Sequence, residues 1–122
     1  VFEYPRLIEL GDRERGRLIE VPISFSNRGN AVLSLKDGGR SCACLALIES
    51  PKGKPVRFDS VELGPGESKQ VWAQMVIRGT TGKTQRELVR IHSNDPGASE
   101  VTIEIVTRRV RGPVVALPES VA

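Results

Sequence analysis

Hydrophobic residues recur at every second position over most of this chain, and that two-residue period is its dominant signal. From Arg17 to Ser26, Ile19, Val21, Ile23 and Phe25 fall on one face and Glu20, Pro22, Ser24 and Ser26 on the other, the pattern of a half-buried strand. Val71, Ala73, Met75 and Ile77 form a second inward set, Val89 and Ile91 a third, and Val101, Ile103 and Ile105 the last strong one. Shorter strands are expected at Arg6 to Leu10, at Ala31, Leu33 and Leu35, at Leu45 to Ile48 and at Val56 to Val61. Turn chemistry separates these runs. Asn27-Arg28-Gly29-Asn30 offers side chains that tolerate left-handed geometry, Pro65-Gly66 is the pair a type II turn takes at its two central positions, and Ser93-Asn94-Asp95-Pro96-Gly97 turns the chain again. Gly11-Asp12-Arg13-Glu14-Arg15-Gly16 reads as a charged, exposed loop after the first strand.

No window of helical period with capping residues competes with this pattern, and no parallel crossover unit is available. Turn signals about every 8–12 residues suit two antiparallel sheets stacked with their apolar faces together. The predicted fold is an all-β antiparallel sandwich of about seven or eight strands with Greek-key connections. It is expected over residues 1–109, and residues 110–122, where Val114-Val115-Ala116-Leu117-Pro118 changes the character of the chain, read as a C-terminal tail.

Composition narrows the function classes. At 122 residues the chain makes one domain, long enough to bury a core without a metal or a disulfide merely to fold. Its apolar content of 39% is carried by Val, Ile and Leu, with only 4% aromatic residues, which favours strands. A formal charge of +3 is a mild excess, short of the one-sidedness of nucleic-acid binders. No stretch approaches the ~20 apolar residues of a membrane span, so contact with a membrane is at most peripheral. The chain opens on Val1 rather than methionine, which points to a segment whose leader or anchor has been removed.

The only concentrated reactive chemistry is Cys42 and Cys44 in Ser41-Cys42-Ala43-Cys44. In an extended strand their α-carbons would lie about 6.5 Å apart, so a bridge needs a local bend. Three readings stay open: small buried groups or a local staple, a thiol redox element, and a soft-metal grip for copper or zinc in which His92 or Met75 completes the set. Alternation places Met75 in the core and His92 on the opposite, outward face. A Ser-His-Asp nucleophile lacks a Gly-x-Ser-x-Gly elbow, and Gly64-Pro65-Gly66 lacks the lysine and helix of a phosphate cradle. No catalytic residue and no cofactor is assigned.

Arg86, Arg90 and Arg108 fall outward on neighbouring strands, interrupted by Glu104, and Trp72 lies outward opposite Met75. Without interleaved aromatics the arginine stripe does not suit nucleic acid. These four residues are the candidate contact surface for a protein partner.

Asn27-Arg28-Gly29, Leu33-Ser34-Leu35, Ser41-Cys42-Ala43-Cys44, Pro65-Gly66-Glu67-Ser68, Gly82 and Ser93-Asn94-Asp95 also carry a resemblance. In order and spacing, from about Phe2 to Thr107, the chain is similar to an uncharacterised, usually exported bacterial domain-of-unknown-function family, whose members read Asn-x-Gly, Cys-Gly-Cys, Pro-Gly and Ser-Asn-Asp. The resemblance implies an immunoglobulin-like sandwich of the major sperm protein and pilus-chaperone type. It also implies a place in the bacterial cell envelope, periplasmic or extracellular, and no established activity. Ala43 and Leu45 depart from the family's usual glycine and threonine, and alanine favours an ordinary backbone between the cysteines. The expected function is a non-enzymatic binding or structural module acting through a strand edge or sheet face on a protein partner such as an envelope complex; the alternative is the metal or redox use of Cys42 and Cys44.

Overall fold

A computed structural model describes residues 2–54 and 56–112. Nine strands make up the described chain: β1 (Phe2–Glu3), β2 (Leu7–Glu14), β3 (Leu18–Asn27), β4 (Leu33–Arg40), β5 (Leu45–Ile48), β6 (Ser60–Leu63), β7 (Ser68–Val76), β8 (Gln85–Ser93) and β9 (Glu100–Arg111). They form a four-stranded sheet in the order β1-β3-β7-β5 and a five-stranded sheet in the order β2-β9-β8-β4-β6. Only β8 and β9 follow one another within a sheet; every other connection among these strands crosses from one layer to the other. That is the Greek-key consequence of strands that each have one apolar face to hide.

The inward sets meet as the two-residue period requires. Val21, Ile23, Phe25, Val71, Ala73, Met75 and Ile77 from one layer pack with Leu33, Leu35, Val89, Ile91, Val101, Ile103 and Ile105 from the other, all buried. Full burial of each large aliphatic side chain contributes about 1.5–3 kcal/mol. Pro65-Gly66 forms its turn: Gly66 has φ +81°, and Glu67 N donates to Gly64 O at 3.0 Å. At Asn27-Arg28-Gly29 the expected left-handed geometry is absent. The chain turns instead because the buried Asn27 side chain accepts from Gly29 N at 2.9 Å.

Several boundaries differ from the sequence-based expectation. The described residues hold nine strands rather than seven or eight, because the two-residue β1 pairs with the end of β3. The charged loop expected from Gly11 to Gly16 is largely strand: β2 runs on to Glu14 and pairs with β9 in parallel, with a register shift at Gly11, whose φ is +70°. The sandwich is therefore not wholly antiparallel. No crossover unit makes this pair, since the first long strand and the last are brought together by everything between them. The Val56 to Val61 strand shrinks to an isolated bridge between Arg57 and Ile48, and pairing with β4 starts only at Ser60. Ala31 is exposed and lies outside β4. β9 extends to Arg111 with Val110 buried, and the expected tail from residue 113 onward lies outside the described residues.

Candidate functional site

The connection from β4 to β5 carries the chain between layers, and Cys42 and Cys44 sit in it joined by a disulfide with α-carbons 5.1 Å apart. The required bend is a turn in which Leu45 N donates to Cys42 O at 3.2 Å. The corner is tied to both sheets. Ser41 N donates to Leu88 O on β8 at 3.0 Å, and Cys44 O accepts from Val76 N on β7 at 3.0 Å. Ala43 keeps a negative φ, as its side chain favours.

A third group stands here that the sequence reading passed over. Glu87 on β8 places a carboxylate oxygen within 4.8 Å of both sulfurs. The carboxylate is held in place: its Oε1 accepts from Ser41 Oγ at 2.7 Å and its Oε2 from Gln85 Nε2 at 3.2 Å. Ser41 Oγ in turn accepts from Leu88 N at 2.8 Å. Glu87 shares the inward parity of Val89 and Ile91, so a charge at an inward position was the signal that could have found it.

Of the two residues proposed to complete a cysteine site, Met75 is in register with Leu45 beside the corner and His92 stands apart from it. Met75 is fully buried between the sheets. His92 lies on the outer face, its Nε2 2.9 Å from Glu100 Oε2, and five positions along β8 separate it from Glu87, roughly 16 Å in an extended strand.

The candidate partner surface divides. Arg86, Arg90 and Arg108 share the outer face of the five-stranded sheet, where Arg86 pairs with Glu104 at 2.6 Å and Arg108 with Asp12 at 3.2 Å. Two of the three guanidiniums are thus matched locally, which weakens any cationic stripe. Trp72 is on the outer face of the other sheet, in register between Pro22 of β3 and Ile48 of β5. Ile48 is buried there although it points away from the core, so Trp72 belongs to a small apolar patch and shares no surface with the arginines.

A feature of the backbone emerges on the opposite side of the sandwich. Among the described residues β2 is an edge strand, and β3 has β1 beside it only at Ser26 and Asn27, so within that set both present free edges over most of their length. Residues of the two strands line one groove: Ile8, Leu10 and Arg13 from β2, Ile19, Val21 and Pro22 from β3. Ile8, Leu10 and Ile19 are half-buried and packed against the core. Glu104 N of β9 donates to Arg6 O at 2.9 Å, and strand alternation therefore aims the main chain of Ile8 at β9 and that of Leu7 and Glu9 away from it. Pro22 has no N–H to offer, so β3 is the poorer of the two edges for pairing.

No protein-family profile and no curated protein matches this chain. Solved structures do. A protein of unknown function from Porphyromonas gingivalis W83 aligns with a TM-score of 0.63 at 17% identity, over 88% of this chain and 46% of that one. SSP-19 of Caenorhabditis elegans, an MSP-domain protein like family member, gives 0.55 at 13% identity, over 84% and 94%. A chain of the CsuC-CsuE chaperone-tip adhesion subunit pre-assembly complex from Acinetobacter baumannii gives 0.52 at 10% identity, over 90% and 52%. The chain spans about half of the Porphyromonas protein it matches. These likenesses establish the fold: an immunoglobulin-like sandwich of the type shared by major sperm protein domains and pilus chaperones.

Proposed function

We propose that this domain is a non-enzymatic protein-binding module of the bacterial cell envelope, which takes an extended segment of a partner protein along β2. The segment's alternate apolar side chains would seat between Ile8 and Leu10 on one side and Ile19 and Val21 on the other. Main-chain hydrogen bonds to Leu7 and Glu9 would supply affinity, and the pockets between alternate side chains would supply selectivity. The observation that carries this reading is the pair of facing free edges over a half-buried apolar floor, an arrangement that single domains usually blunt. Two further facts support it. A chain of the Acinetobacter assembly of a chaperone with a tip adhesion subunit shares this fold. The Cys42–Cys44 disulfide suits an oxidising compartment such as the periplasm.

The test is selection of displayed extended heptapeptides on the isolated domain, followed by titration of the isotope-labelled protein. Peptides that bind in the proposed mode shift the amides of Leu7, Glu9 and Ile19. Shifts confined to Arg86, Arg90 and Arg108, or to the surroundings of Trp72, would move the function to a sheet face.

A further inference from the structure

We propose that opening the Cys42–Cys44 disulfide converts this corner into a zinc site with Glu87 as the third protein ligand. The inference is independent of the β2 groove. Three donor atoms already lie within 4.8 Å of one another. Tetrahedral zinc with Zn–S and Zn–O bonds of about 2.0–2.3 Å needs its donors roughly 3.3–3.8 Å apart, so only side-chain rotation is required. Glu87 is oriented by Ser41 and Gln85, each of which occupies one carboxylate oxygen and leaves that oxygen a second lone pair for a metal. Cys44 N points at Cys42 Sγ from 3.0 Å, a donor that stabilises a thiolate on that sulfur once it is freed.

A dithiol reductant gives two electrons to the disulfide; the S–S bond breaks, two cysteine thiols form, and the reductant closes its own disulfide. Zinc then displaces both thiol protons to solvent. Two thiolates, one carboxylate and the divalent ion leave a net charge of −1, with the fourth coordination position open to water. The carboxylate decides the metal, because copper(I) favours an all-sulfur set whereas zinc accepts sulfur and oxygen together. His92 has no part in the site.

The experiment uses the whole chain, reduced with a phosphine, and Zn²⁺ competed against a chromophoric chelator, with Co²⁺ as a spectroscopic substitute. Circular dichroism of each variant first confirms the sheet spectrum. Reduced protein is expected to bind one zinc per chain and oxidised protein none. Cys42→Ser/Cys44→Ser should bind none, Glu87→Gln should lose at least about tenfold in affinity, and His92→Ala should match the parent. The cobalt spectrum should show thiolate charge transfer in tetrahedral geometry and should change in Glu87→Gln. No zinc uptake on reduction, equal uptake by oxidised protein, Glu87→Gln affinity and cobalt spectrum equal to the parent, or loss of binding in His92→Ala would each overturn the proposal.

Discussion

The side chain of Asn27, at the end of β3, donates to the main-chain oxygen of Leu63, at the end of β6, across 2.9 Å, and so ties one sheet to the other. The same amide nitrogen donates to Ala31 O at 2.8 Å, while its oxygen accepts from Gly29 N. Asn27 is buried, and no apolar residue could replace these bonds. Asn27→Ala should therefore cost about 1–3 kcal/mol, the range for leaving buried polar partners unmet. Urea unfolding measures it, and a loss well below 1 kcal/mol would mean that water replaces the side chain.

Ile23 is fully buried at the centre of the four-stranded sheet, opposite Val71. Ile23→Asp places an unpaired carboxylate in that core at a cost of several kcal/mol, enough to unfold a domain of ordinary stability. An unchanged melting temperature would contradict the inward assignment of β3.

The disulfide closes a very short loop, Cys42 to Cys44, so its removal should be mild. Loop-closure entropy for about three residues corresponds to roughly 1.6 kcal/mol. Cys42→Ser/Cys44→Ser is expected to fold, with its denaturation midpoint lowered by that free energy divided by an unchanged slope. Failure to fold would make the bridge a structural necessity.

Gly38 lies where a Cβ would stand 2.7 Å from the His92 ring and 3.0 Å from Arg90 O. The ring can swing away at the surface; the main-chain oxygen cannot. Gly38→Ala should destabilise by about 1–3 kcal/mol, as overpacking does, and thermal unfolding reads the change.

Much of the sandwich was legible because its central strands hide one face each. In β3, β7, β8 and β9 the branched side chains sort so cleanly that the inward sets follow from alternation alone. What escaped lies at the edges and corners. Asp12, Arg13 and Glu14 conceal a strand, because an edge strand has little core to face and its partner β9 is the far end of the chain. Phe58 is fully buried from a stretch with only one bridge, so no period announces it. The cysteine pair was visible; of its third neighbour, only the charge at an inward position was. Glu87 reaches the corner through the fold of β8 beside Ser41, a tertiary proximity that spacing cannot encode.

Glu9 offers a clean separation of folding from binding. Its N–H faces away from β9, so Glu9→Pro removes a donor at the free edge and no ladder bond within the sheet. The variant should keep the parent's circular-dichroism spectrum while losing affinity for extended peptides at least about tenfold, as one or two charge-free main-chain hydrogen bonds would predict. Equal affinity would exclude pairing along β2.

The most direct measurement is amide hydrogen exchange at Leu7 and Glu9, read in the free protein and in complex with a selected peptide. Fast exchange is expected at both in the free domain, since neither amide has a partner strand among the described residues, and strong protection of both in the complex, with Ile8 protected throughout. Protection of Leu7 and Glu9 already in the free protein, or none gained on binding, would contradict pairing along β2.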